Sequence, residues 1–118
     1  MAILDEMKKV FREKFGAAET HAYFSQGRVN LIGEHTDYNG GHVFPCAISL
    51  GTYALAAPRA DDVSRLYSMN AEEQGVVEFP MHGAVKSAAY GWANYPIGVV
   101  RMMEDAGLPA AHGFDILV

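Results

Sequence analysis

Arg28, Glu34, His35 and Asp37 crowd into one short stretch, Gly27-Arg28-Val29-Asn30-Leu31-Ile32-Gly33-Glu34-His35-Thr36-Asp37-Tyr38-Asn39-Gly40-Gly41. A carboxylate accepts hydrogen bonds, an imidazole can do either, and a guanidinium donates while keeping its charge under any relevant condition. Such a set, placed on a turn directly after an apolar strand, can specify which hydroxyls of a small sugar-like molecule point where. Each contact also penalises an epimer that leaves a buried group unpaired. The glycines allow backbone to approach a ligand closely. Two plainer readings stand beside this one. The segment can be an ordinary solvated turn in which Asp37 caps backbone donors and Arg28 sits in a surface ion pair. It can also be a metal site built from His35, Asp37 and His42, although two of their intervals match no specific zinc spacing.

The elements that must hold this stretch follow from periodicity. Ile3, Leu4, Met7, Val10, Phe11 and Phe15 recur at three- and four-residue intervals between charged residues, which predicts an amphipathic helix ended by Gly16. His21 to Ile32 favours extended structure, with a turn expected at Ser25-Gln26-Gly27 that would make a hairpin or a bent strand. The polar stretch His35 to His42 then precedes Val43 to Pro58, whose almost wholly apolar character predicts one or two buried strands. Arg65 to Met69 and Val76 to Phe79 are further short strands around a turn at Asn70 to Gly75. Trp92, Tyr95, Val99, Met102, Met103 and Ala106 follow a helical period; Pro96 requires the helix to begin within a turn of it, and Gly107 and Pro109 stop it. Phe114 to Val118 reads as a last strand, and a chain ending inside such a pattern suggests a piece of something longer. The expected fold class is α+β, a mixed β-sheet layered with helices.

Composition narrows the partners. The 118 residues are half hydrophobic and carry a formal charge of −5, enough for one modest core and unsuited to a broad nucleic-acid surface. No run of roughly eighteen apolar residues predicts a membrane span, and Met1 to Phe15 lacks the uninterrupted apolar stretch of a secretory signal. Cys46 is the one cysteine, so no internal disulfide exists and a reducing cytoplasm is expected. With no basic neighbour to favour a thiolate, Cys46 is expected to be a buried structural thiol. His21, His82 and His112 stand outside any constellation and receive no role.

The segment Gly27 to Asn39 closely resembles the galactokinase signature, in which a strand carrying Gly-Arg-x-Asn-Leu-Ile-Gly leads into Glu-His-x-Asp-Tyr. The resemblance continues through Pro45 to Ile48, Tyr67-Ser68, Trp92-Ala93-Asn94-Tyr95 with Gly98-Val99, and Gly113-Phe114, so it covers essentially the whole chain. It implies that residues 1–118 form the first part of a GHMP kinase amino-terminal domain, with the sugar-binding signature at 27–39. It further implies that Glu34, His35, Thr36 and Asp37 form the galactose-binding turn, with Asp37 at the hydroxyls that distinguish epimers. Arg28 matches the family's catalytic arginine near the anomeric hydroxyl, where its charge can lower a catalytic aspartate's pKa and stabilise charge developing during phosphoryl transfer. Ser68 matches a nucleotide-associated position, and Trp92 one near the adenine pocket. Without the resemblance, Ser68 reads as an exposed strand hydroxyl and Trp92 as a core residue. Ile97 departs from the family, many of whose members carry Lys or Arg there; the departure bears only on a helix-surface contact, which is not expected to be kept.

Galactokinases are much longer than this chain, and their phosphate loop, catalytic aspartate and acidic magnesium ligand are expected beyond residue 118, together with a carboxy-terminal domain. The reading is therefore of a parent enzyme that phosphorylates D-galactose to galactose 1-phosphate with ATP and Mg2+, in a piece that alone lacks kinase activity and self-associates through surface exposed by truncation. No metal ligand is assigned within the chain. A non-catalytic galactose-sensing relative and a sister kinase for N-acetylgalactosamine remain as alternatives.

Overall fold

The computed structural model describes residues 2–118. A helix α1 (Ala2–Phe15) leads into strands β1 (His21–Ile32), β2 (Phe44–Pro58), β3 (Val63–Tyr67) and β4 (Val77–Pro80), then helix α2 (Asn94–Asp105) and strand β5 (Phe114–Leu117). Short 3-10 turns occupy Asp37–Asn39, Glu72–Gln74 and Ala88–Ala93. The strands form one mixed sheet in the order β1-β2-β5-β3-β4. β2 and β4 run antiparallel to β5 and β3 respectively, whereas β3 and β5 are parallel. The α+β class expected from the sequence is what the chain adopts. Among the described residues no helix is long and apolar enough to cross a membrane.

The chain divides into two units, one taking in residues up to Ala22 together with Ala54–Val118, the other Tyr23–Tyr53. In the first, the period of two along β3 and β5 sends alternate side chains to opposite faces. Leu66, Phe114 and Ile116 pack with Val77, Phe79, Ala93 and Ile97 in one apolar cluster. On the other face Arg65 lies over the Phe15 ring and Lys14 over the Tyr67 ring. The helices therefore cover opposite faces. Helix α1 buries Met7, Phe11 and Phe15 at four-residue intervals, and the Phe11 and Phe15 rings meet edge to face at 4.8 Å. Gly16, at φ 74°, ends it as the periodicity predicts, its N–H donating to the Arg12 carbonyl at 2.9 Å; the left-handed conformation is one that glycine adopts without penalty.

Helix α2 starts two residues before Pro96 and ends before Gly107, as expected, but its inward face is different from the expected stripe. Ile97 is 2% exposed and sits in the core, whereas Tyr95, Val99, Met102 and Met103 are exposed. Ile97 is thus a core residue, in keeping with its departure from the charged residues of the family. The helical period alone cannot choose between two apolar faces when both carry large side chains.

In the second unit, Phe24 stacks against Tyr53 with ring centroids 4.7 Å apart. A Cβ on Gly51 would strike the Ser25 carbonyl, and one on Gly27 would lie 3.0 Å from the Leu50 carbonyl. These partners descend along β2 as β1 ascends, so the two strands run in opposite directions. β1 is one continuous strand through Ser25-Gln26-Gly27, so the hairpin expected as one of two outcomes is not formed. Gly27 serves close approach between strands instead of a turn. The first half of β2 is exposed, Cys46 included, which corrects both the buried strand and the buried thiol. An apolar run shows that a segment can be covered, not that it is.

Candidate functional site

The turn that joins β1 to β2 begins at Gly33, whose φ of 104° an L side chain rarely adopts. A Cβ there would lie 2.7 Å from the His42 carbonyl and 2.9 Å from Val43 Cα. His35, at φ 59°, is the one non-glycine residue with positive φ among the described residues. Thr36 closes the turn from inside: its single hydroxyl proton is shared between the Gly33 carbonyl at 2.7 Å and the His42 carbonyl at 2.8 Å. Its own carbonyl accepts from the Asn39 N–H at 3.2 Å and the Gly41 N–H at 2.6 Å. The Asn39 side chain donates to the His35 carbonyl at 2.8 Å, and Tyr38 Oη lies 2.5 Å from His35 Nδ1.

The turn is therefore held by its own hydrogen bonds, and its charged side chains lie outside that network. Glu34, His35 and Asp37 are exposed, and Thr36 is half-buried. Arg28 is exposed on β1, on the strand that feeds the turn. Among the described residues, the side chains of Arg28, Glu34 and Asp37 enter no hydrogen bond or ion pair. Asp37 caps no backbone donor and Arg28 is in no ion pair, so those two contacts of the plainer reading are not made. Nor do the described residues contain a group of three or more His, Cys, Asp or Glu able to hold a metal ion.

Ser68 and Trp92 belong to the other unit. Ser68 follows β3 and is buried, where its residue type alone suggested an exposed hydroxyl; its Oγ accepts from the Asn70 N–H at 3.2 Å. Trp92 packs half-buried against the core, with its indole N–H buried and without an acceptor. An orphaned buried donor of this kind is uncommon. The segment before α2 is tied by Asn94, whose amide donates to the Ser87 carbonyl at 2.7 Å and the Gly91 carbonyl at 3.0 Å. Lys86, Gly91, Asn94, Tyr95 and Gly98 line a cavity of about 420 Å³ beside it.

Sequence reasoning missed two parts of this arrangement. Tyr38 and Asn39 hold His35, and the signal was their spacing three and four residues after it, the reach of a tight turn. In the first unit Arg65 donates from Nε and Nη2, one edge of its guanidinium, to both oxygens of the buried Asp115 at 2.7 Å, and Arg59 reaches the same carboxylate at 3.3 Å. The signal there was an aspartate inside the otherwise apolar run Phe114 to Val118.

Three comparisons bear on what the turn is. The family model described as the galactokinase galactose-binding signature matches residues 9–58. The galactokinases of Exiguobacterium sibiricum and Lactiplantibacillus plantarum are each 48% identical to this chain, over 95% and 96% of it and 29% of their own lengths. A crystal structure of Lactococcus lactis galactokinase complexed with galactose superposes with a TM-score of 0.87 at 43% identity, over 98% of this chain and 30% of that one. The chain thus spans about 30% of the length of the relatives it matches.

Proposed function

The chain belongs to the galactokinase family, and on that premise we propose that the full-length protein phosphorylates D-galactose with ATP, giving galactose 1-phosphate. The observation that carries this reading is the turn from Gly33 to His42, held by its own hydrogen bonds, which leaves the Glu34 and Asp37 carboxylates unpaired on its outside. Sugar hydroxyls donate to carboxylates and accept from an imidazole N–H, so Glu34, Asp37 and His35 form a mixed acceptor and donor set for adjacent ring hydroxyls. In this reading Asp37 discriminates epimers and Thr36 keeps the turn in shape. Arg28, charged at any relevant pH, stabilises the negative charge that develops at the reacting end of the sugar.

ATP supplies the transferable phosphoryl group. Trp92 and Ser68 suit the base end of a nucleotide, since a buried indole N–H without an acceptor and a buried hydroxyl are both able to take a polar partner. The phosphates and Mg2+ fall to residues outside the 118 in this reading. The 118 residues by themselves bind sugar at most and turn over no ATP. Self-association of the isolated chain through the outer face of α2 goes with the same reading, as does a place in the cytoplasm, where ATP is at hand.

The test is Asp37→Ala in the full-length protein. Galactose-dependent ADP release is expected to be lost or to fall at least about a hundredfold in kcat/KM, the scale of losing a charge-assisted contact made in the transition state. Unchanged kinetics would remove Asp37, and with it the sugar reading of the turn.

A further inference from the structure

We propose that Tyr38 is a positioning residue for His35, fixing which imidazole nitrogen is offered to the sugar; the proposal rests on the galactose reading above and deepens it. His35 is held at three points. Its backbone has the left-handed φ of 59°, its carbonyl accepts from Asn39 Nδ2 at 2.8 Å, and its Nδ1 meets Tyr38 Oη at 2.5 Å. The two rings lie edge to face, 5.9 Å between centroids and 72° between planes. Positive φ is uncommon outside glycine and persists where the surroundings determine it. Here the surroundings are Tyr38 and Asn39, one on the ring and one on the backbone.

The chemistry follows from the donor inventory. A phenol is protonated at neutral pH, and a neutral imidazole has one donor and one acceptor nitrogen. With Tyr38 Oη as the donor to Nδ1 in this proposal, the ring proton resides on Nε2, whereas a proton on Nδ1 would be donated to the phenol oxygen. That nitrogen is then a donor on an exposed turn that also carries the Glu34 and Asp37 carboxylates, which accept. The ring cannot exchange its two nitrogens without losing the phenol contact, so the pattern of one donor among acceptors is fixed before ligand arrives. A galactose hydroxyl that must accept at one position and donate at its neighbours matches this pattern, and an epimer with one hydroxyl turned away does not.

The experiment is Tyr38→Phe in the full-length protein, which keeps the ring edge and removes the hydroxyl. Two readouts are taken: the 15N resonance of His35 Nδ1 in the absence of sugar, assigned by its loss in His35→Gln, and steady-state kinetics. The Nδ1 resonance is expected to move toward that of an imidazole free of a hydrogen bond. The galactose KM is expected to rise about three- to tenfold, the scale of one hydrogen bond, with kcat within about twofold and the ATP KM unchanged. A resonance that stays in place overturns the hydrogen bond. A resonance that moves with an unchanged galactose KM overturns the positioning role, and a parallel fall in kcat with a raised ATP KM shows general structural damage and overturns it too. Because the resonance is read without sugar, it decides the Tyr38–His35 link even if Asp37→Ala overturns the galactose reading.

Discussion

Arg65 on β3 and Asp115 on β5 stand directly opposite each other in parallel register and join through two hydrogen bonds of 2.7 Å. The same guanidinium donates to the Phe15 carbonyl at 3.2 Å and lies over the Phe15 ring. One arginine thus connects the end of α1 to two strands of the sheet, and the carboxylate raises the pKa of Arg65 through its hydrogen bond.

Asp115→Ala is expected to destabilise the protein by about 3 kcal/mol, the lower end for breaking a buried pair, because it leaves Arg65 and Arg59 facing a site that has lost its charge. The side chain of Asp115 is 6% exposed and those of the arginines 20–22%, so water relieves part of the penalty. Urea unfolding followed by circular dichroism measures it; a midpoint shift worth less than about 1 kcal/mol would contradict the account.

Stability should fall on the acid side. Two hydrogen bonds from Arg59 hold the Asp61 carboxyl down at about 2, and the Gly83 N–H, followed by His82, holds Glu104 below its usual value. A carboxyl with a folded pKa below its unfolded one stabilises the fold at pH values above the unfolded pKa, about 4, and loses that contribution as pH drops toward the folded pKa. Thermal midpoints are expected to be level from about pH 7 to 5 and to decline between about pH 4 and 2. Asp61→Asn should flatten part of the decline, and a titration of Asp61 by NMR with its midpoint near 4 would contradict the assignment.

Gly33→Ala is expected to weaken galactose use by the full-length protein about tenfold or more, since a Cβ meets fixed backbone at a φ that costs about 1–3 kcal/mol. Gly40→Ala is the control: its φ of 76° is also positive, but a Cβ there meets nothing within 4 Å, so its effect should be smaller. Equal galactose KM values for the two variants would show that the crowding at Gly33 does not shape the turn.

The isolated 118-residue chain is expected to self-associate through Tyr95, Val99 and Met102, which are 84%, 61% and 67% exposed, and Met102→Glu should shift it toward monomer. Size-exclusion chromatography with light scattering measures this; a monodisperse monomer in the unsubstituted chain removes the proposal.

Much of this was legible in the sequence. The helix starts and stops and the turn after Ile32 all follow from glycines, prolines and apolar spacing, which are local effects. What escaped was decided by tertiary neighbours. Gly27 reads as a turn residue until Leu50 is seen to need the space beside it. Ile97 and the Tyr95–Val99 stripe compete for the same sheet, and only packing selects Ile97. Cys46 lies in an apolar run whose cover is not a property of the run. Within the turn, the charged residues announced themselves by type, whereas Tyr38 could be found only from its spacing three residues after His35, the reach of a tight turn.

The threonine bridge between the Gly33 and His42 carbonyls also bears on how a ligand arrives. A segment whose torsions are set by its own hydrogen bonds has lost its conformational freedom during folding, so that loss is not charged again at the encounter. Binding then needs no prior closure of this segment, and its association rate should be governed by diffusion and orientation, with affinity differences among sugars appearing in how long each one stays.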